Sequence, residues 1–253
     1  MNNLRSIVRF LDAKLKVSDF PADSSNNGLQ VENSGHVSRI CCGVDASLEF
    51  FEAAQRRGAD MVVCHHGISW GDSLRRITET NYKRISFLME NDMALYACHL
   101  PLDADPVVGN NVLICHALGL RDIKRFGVYH GMEIGFQGCL PKAVKYTQFK
   151  DLVRKQINRV VQCMDFGKSE VRTVAVISGS APELLNEAGV KGIDVFLSGE
   201  PKLSAYHTAK EYGINAIFAG HYATEVFGVR AVAPVLKKKF DIPIEFIDMK
   251  VPF

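Results

Sequence analysis

Apolar runs bounded by glycine alternate along the chain with amphipathic stretches of roughly 10 to 13 residues, the rhythm of βα units rather than of a helical bundle or a β-sandwich. Leu4, Ile7, Val8, Leu11 and Leu15 recur at helical spacing and predict an opening helix. Strands are expected at Arg39–Val44, Met61–Cys64 and Met93–Cys98, with helices over about Leu48–Arg57, Thr80–Asn91 and Asn110–Leu118. Gly58 and Gly119 suit helix stops. The rhythm then returns: strand Thr173–Ser178, helix Pro182–Ala188, strand Val195–Ser198, helix Lys202–Tyr212, strand Ala216–Ala219, helix Ala223–Lys239 and strand Ile244–Asp248. Pro182 fits a first helical turn, and Pro234 predicts a kink in the last helix.

The second rhythm repeats the first in detail. Asp45-Ala-Ser-Leu-Glu and Gly58-Ala-Asp-Met-Val-Val-Cys-His-His align with Gly179-Ser-Ala-Pro-Glu and Gly192-Ile-Asp-Val-Phe-Leu-Ser-Gly-Glu at one constant offset, without a gap. Ala94-Leu-Tyr-Ala-Cys-His matches Ala216-Ile-Phe-Ala-Gly-His, and each of these histidines has a carboxylate four residues on, Asp103 and Glu225. The fold class read from this is α/β, with two similar α/β lobes related by an internal pseudo-repeat, 1–125 and 126–253, acting as one structural unit. A chance likeness of two short apolar strands is the competing explanation.

Composition narrows the function. The 253 residues are 47% hydrophobic and 23% charged, enough to bury a core without disulfides. Lys+Arg 30 against Asp+Glu 28 leaves +2, too neutral for the basic face that binding to nucleic acid or a membrane surface by charge requires. No apolar run approaches the roughly 18 residues of a membrane span, and Arg5, Arg9, Asp12, Lys14 and Lys16 interrupt any signal-peptide core. Seven cysteines, without C-x-x-C spacing and mostly inside apolar stretches, point to buried thiols in a reducing cytoplasm. The phosphate-cradling patterns G-x-x-x-x-G-K-[ST] and G-x-G-x-x-G are absent, and Ser178-Gly179-Ser180 is only a weak phosphate cradle.

The chemistry gathers at strand ends. His65-His66 follow the strand expected at Met61–Cys64 and precede Gly67, so two imidazoles are expected in a loop at a strand's carboxyl end, where open α/β sheets bind ligands. His99 and Asp103 leave a second strand end, and His221 and Glu225 a third. Residues four apart share a helix face, so His221 and Glu225 can point at one cation, whereas Pro101 marks His99–Asp103 as a loop. An isolated His-His pair reads as two solvated loop residues; the company of the other strand ends is what indicates a metal. Imidazole and carboxylate ligands suit Zn, Mn, Fe, Co or Ni. Adjacent histidines diverge and the ligands exceed the need of one ion, so two divalent metal ions per chain are expected, bridged by a carboxylate about 3.5–4 Å apart and able to generate hydroxide near neutral pH. Glu200, the repeat partner of His66, is expected in the same cleft, and Asp45 as a cap of the following helix or else an acid of the cleft. His207 reads as a helix-face residue, while His36, His116 and His130 have no partner nearby in sequence.

Six segments occur in order over nearly the whole chain: Asn27-Gly-Leu-Gln-Val31, Val63-Cys-His-His-Gly67, His99-Leu-Pro-Leu-Asp-Ala104, Gly109-Asn-Asn111, Ser198-Gly-Glu200 and Gly220-His-Tyr-Ala-Thr-Glu225. Together they resemble the GTP cyclohydrolase 1 type 2 homologue family, also called Nif-three-like. The resemblance implies two similar lobes enclosing a dinuclear metal centre and a ring-shaped homo-hexamer built as a trimer of dimers. It carries the metal ligands onto His65, His66, Asp103, His221 and Glu225, with Glu225 as the bridge, and it matches His99 and Glu200, taken here as catalytic proton carriers. Gly67 stands where other members have proline, a change that touches no proposed ligand.

The expected activity is a metal-dependent hydrolase on a small-molecule substrate, a nucleotide or related heterocycle with GTP as the named candidate. The rival reading is a non-catalytic metal-binding interaction or regulatory protein in a ring-shaped assembly.

Overall fold

The computed structural model describes residues 2–252. The described residues form two compact units, 2–102 with 228–250, and 103–227 with 251–252.

The first unit contains β1 (Asn2–Asn3), α1 (Leu4–Leu15), β2 (Gly28–Val31), β3 (His36–Val37), β4 (Ile40–Asp45), α2 (Leu48–Gln55), β5 (Met61–His66), α3 (Glu79–Glu90) and β6 (Ala94–Ala97). The short α4 (Leu100–Ala104) carries the chain into the second unit. There follow α5 (Asn110–Ala117), β7 (Arg121–Tyr129), β8 (Met132–Lys145), α6 (Tyr146–Gln156), β9 (Gln162–Asp165), β10 (Glu170–Val176), α7 (Leu185–Val190), β11 (Val195–Ser198), α8 (Leu203–Tyr212) and β12 (Asn215–Phe218). Helix α9 (His221–Phe240) returns the chain to the first unit, where β13 (Ile244–Phe246) joins the sheet. Residues 125 and 126, where the sequence reading divides the lobes, both lie in β7.

The two sheets share a frame. The first runs β13-β4-β5-β6-β2, with β4, β5 and β6 parallel and β2 antiparallel on the β6 edge. The second runs β7-β8-β10-β11-β12-β9, with β10, β11 and β12 parallel and β9 antiparallel on the β12 edge. The pseudo-repeat is therefore structural: β4, β5 and β6 correspond to β10, β11 and β12. The sheets differ at the other edge, where β4 pairs with parallel β13 and β10 with β8 of an antiparallel hairpin.

The repeat extends to details the backbone requires. Gly58 and Gly192 both take left-handed conformations, φ 72° and 66°, in the turn from a helix to a central strand. Two residues later, Asp60 accepts from the amides of Ser38 and Arg39 and the Ser38 hydroxyl at 2.6–3.1 Å. Asp194 accepts from the amides of Arg172 and Thr173 and the Thr173 hydroxyl, each at 3.0 Å. In each unit one carboxylate ties the start of a central strand to its neighbour.

The central strands are apolar at nearly every position because helices cover both faces of a parallel sheet; β6, β11 and β12 are buried throughout. The first core includes Phe50 and Phe51 of α2, and the second includes Phe149, Val174 and Ile217. Gly43 lies under Phe50, whose ring a Cβ would approach to 2.4 Å. In α1 the predicted stripe holds, with Leu4, Ile7, Leu11 and Leu15 buried and Asn3 capping the first turn through the Arg5 amide.

Two local expectations change. Strand β5 continues through His66, because its ladder with β4 extends to the Asp45–His66 pair. Residues 100–104 are helical rather than a loop: Pro101 sits in the first turn, where a missing N–H costs no bond. Helix α9 contains Pro234 and ends at Phe240. No disulfide joins the seven cysteines among the described residues, and Cys41, Cys42, Cys64, Cys98 and Cys115 are buried. Burial pushes the Cys41 and Cys115 thiols up to about 12. Among the described residues no helix is long and apolar enough to cross a membrane.

Candidate metal centre

Every predicted site residue lies at or just beyond the carboxyl end of a central strand, or on the helix that follows one. In the first unit His65 and His66 close β5, and His99 follows β6. The three imidazoles form one cluster, with ring centroids 4.6 Å apart for His65–His66, 5.2 Å for His65–His99 and 5.7 Å for His66–His99. Neighbouring side chains of a flat strand point to opposite faces, yet here the two rings stay together. One ligand atom from each of the three histidines lies within 4.8 Å of the others.

Each ring is held from behind by an oxygen. His65, fully buried, places Nδ1 3.0 Å from the Cys98 carbonyl. A carbonyl only accepts, so Nδ1 carries the proton and Nε2 is the basic nitrogen. His66 Nδ1 lies 2.8 Å from Asp45 Oδ1, and His99 Nδ1 2.8 Å from Asp23 Oδ1. Asp45 is thus not the cap of α2; Ser47 takes that place, accepting from the Phe50 amide. Asp23, its side chain 1% exposed, also accepts from Asn27 Nδ2 and the amides of Ser25 and Leu100 at 2.8–3.0 Å. Burial works to raise its carboxyl, but His99, Asn27 and the Ser25 amide outweigh it and hold it below the usual carboxylate range.

The second unit supplies acids. His221 opens α9, and Glu225, one turn on and 2% exposed, places Oε1 3.1 Å from His221 Nε2. Glu200, in the loop after β11, places Oε1 3.2 Å from His221 Nδ1. Asp103 is buried at 5% exposure and accepts at Oδ1 from Asn110 Nδ2 (2.8 Å) and Ser178 Oγ (2.7 Å). Asn111 holds the same corner, accepting from the Ser178 amide and donating to the Ile134 carbonyl. Gly179 has φ 63°, and a Cβ there would lie 2.3 Å from Glu225 Oε1 and 3.1 Å from His221 Nε2, so only glycine lets the turn approach these side chains. Ser178-Gly179 thus belongs to the acid set rather than to a phosphate cradle, and the segment after it is a single 3₁₀ turn running into the short α7.

Oriented imidazoles in one unit, and a histidine between one buried and one half-exposed carboxylate in the other, are donor chemistry that fits divalent ions such as Zn, Mn, Fe, Co or Ni. His207, His36, His116 and His130 are exposed and outside both sets. The pattern along the chain gave no sign of the supports Asp23 and Ser178, nor of the roles of Asn27, Asn110 and Asn111, because each acts through a bond to a residue distant in sequence or through a turn without periodicity. Gly67-Ile68-Ser69-Trp70-Gly71 has G-x-S-x-G spacing, but no helix follows it directly and Ser69 Oγ accepts from Asn26, so it is not a nucleophile turn.

A family model, Duf34/NIF3 (NGG1p interacting factor 3), matches residues 2–252. The chain belongs to this family. An Archaeoglobus fulgidus protein named GTP cyclohydrolase 1 type 2 homolog is 44% identical over 247 residues, covering 98% of each chain. A Deinococcus radiodurans protein of the same name is 41% identical over 242 residues, 96% of this chain and 91% of that one. A solved structure from Thermus thermophilus superposes with a TM-score of 0.90 at 36% identity, covering 100% of both chains. The Duf34/NIF3 assignment agrees with the six segments and with the duplicated α/β frame.

Proposed function

We propose that this protein is a metal-dependent hydrolase acting on a nucleotide or related heterocycle, in the manner of a GTP cyclohydrolase. The observation that carries the reading is the trio His65, His66 and His99, each with Nδ1 held on an oxygen acceptor and with ligand atoms within 4.8 Å of one another. The relatives' name, GTP cyclohydrolase 1 type 2 homolog, supports the choice of substrate class.

In this reading His65, His66, Asp103, His221 and Glu225 hold two divalent ions, in a homo-hexamer arranged as a trimer of dimers. Bound divalent ions supply Lewis-acid activation of water and substrate. His99, backed by the buried Asp23 carboxylate, moves protons at Nε2, as an imidazole in a His–Asp pair does. Glu200 steadies His221 through Nδ1, and its side chain, 44% exposed, can exchange protons with solvent.

The test is elemental mass spectrometry of extensively dialysed protein, with turnover assays on GTP and other nucleotides after reloading with Mn, Zn, Fe, Co or Ni. About two metals per chain with formate or phosphate release, both lost in Glu225→Ala, is the expected result. Retained metal without turnover on any nucleotide would move the assignment to a metal-binding interaction protein. No metal after reloading would end the hydrolase reading.

A further inference from the structure

We propose that Trp70 is the wall on which a planar nitrogen heterocycle stacks beside the histidine trio, which makes it a specificity-determining residue of this site. The inference rests on the hydrolase reading for the use of the site, while its test reads binding alone.

Trp70 is the single tryptophan of the chain. Its ring centroid lies 5.0 Å from that of His99, at an interplanar angle of 73°, and 5.9 Å from that of His66. A large aromatic gains most from full burial, yet Trp70 stays partly exposed and is outside the apolar core formed by α2 and the central strands of its unit. Many bonds hold it there. Segment 67–71 is strapped to segment 24–30 by an antiparallel bridge between Ser25 and Trp70, by the Gly71 amide on the Ser24 carbonyl (2.8 Å), and by Asn26 Nδ2 on Ser69 Oγ (2.7 Å) and the Gly71 carbonyl (3.0 Å). Gln30 Oε1 accepts from the Ile68 and Ser69 amides at 2.8 and 3.1 Å. Gly67 lets Gln30 come this close: a Cβ there would lie 2.3 Å from Gln30 Oε1, so any larger residue requires the Gln30 side chain to shift.

The indole's polar atom is already used. Nε1 donates to the Gly67 carbonyl at 2.9 Å, which fixes the ring and leaves π surface, rather than a hydrogen-bond donor, to offer a ligand. A fixed π surface next to ligand histidines selects flat aromatic rings and is indifferent to phosphate, since stacking recognises any base face. The ligand class that fits is therefore a purine-like ring system, recognised through its plane.

Because the chain has one tryptophan, its emission reports this residue alone. Metal-loaded protein is titrated with guanosine, a ring without phosphate, and with tripolyphosphate, phosphate without a ring. Guanosine is expected to change the emission saturably and tripolyphosphate to leave it unchanged. By calorimetry, Trp70→Leu weakens guanosine roughly 5- to 150-fold, the factor for loss of one stacked base. Trp70→Phe recovers most of the affinity, and both variants keep the wild-type metal content. Should Trp70→Leu fail to fold, the wild-type emission and the phenylalanine variant carry the test. Guanosine binding equally to the leucine variant, guanosine leaving the emission unchanged, or metal loss in the phenylalanine variant would each overturn the proposal. Stacking without turnover of any nucleotide would instead sink the hydrolase reading and leave Trp70 as the wall of a heterocycle-binding site.

Discussion

The two units carry the same frame and opposite chemistry. At equivalent places in the repeat, Gly58 and Gly192 make the same left-handed turn, and Asp60 and Asp194 tie the same pair of strands. At two strand ends the correspondence dissolves, with His66 opposite Glu200 and Asp45 opposite Gly179 in the alignment, while at the third His99 still stands opposite His221. The first unit orients imidazoles with oxygens placed behind them, and the second sets one histidine against acids and clears backbone space for them. What a duplicated fold keeps is what its backbone demands; the open ends of its strands are free to diverge.

The comparison can be strained at its largest energies first. Phe50→Ala empties the centre of the first core and is expected to lower stability by about 3–5 kcal/mol in urea unfolding. Hydrogen exchange should rise first in β4–β6; a rise spread evenly over β10–β12 would show that the two frames do not act as separate cores.

Next come the supports of the site. Asp23→Asn keeps the shape but removes the charge behind His99, and turnover of the metal-loaded protein should fall about 100-fold or more while metal content stays at the wild-type level. Gly179→Ala tests the acid set: an alanine at φ 63° costs about 1–2 kcal/mol, and its Cβ pushes on Glu225. Metal content should fall, and with it the metal-dependent shifts of the His65 and His66 resonances in NMR, as expected for Glu225→Ala. Full metal content in the alanine variant would show that Glu225 holds no ion.

The smallest effect separates the paired aspartates. Burial works to raise the Asp194 carboxyl, but Lys168, Thr173 and the Arg172 amide hold it below the ordinary 3.8. A lowered folded pKa means that the stability it contributes is complete above that ordinary value and is lost as pH falls through the folded pKa. Urea midpoints measured from about pH 6 down to pH 2 should therefore fall less steeply below about pH 4 in Asp194→Asn than in the parent. An unchanged acid limb would leave Asp194 as a packing residue only.

Much of this was legible in one dimension. The central strands stand out because a parallel sheet covered on both faces leaves unbroken apolar runs, and β11 is found at Val195–Ser198, as its sequence predicts. His221 and Glu225 meet as their helical spacing requires. The hairpin β7–β8 was not read: Arg121, Asp122, Lys124 and Arg125 are exposed on β7 and leave it without apolar alternation, although Met132, Ile134, Phe136 and Leu140 do alternate on β8. Pro101 misled because proline forbids helix interiors yet suits first turns.

The sequence by itself determined the α/β class, the internal repeat and the residues with ligand chemistry, because periodicity and spacing are local properties of a chain. Tertiary structure alone decided which way each imidazole faces. Asp23 reaches His99 across 76 residues, and Gln30 fastens the Trp70 turn from 39 residues away at Ser69. Such contacts leave no periodic trace, since a hydrogen bond depends on where folding brings two atoms and not on the chain between them.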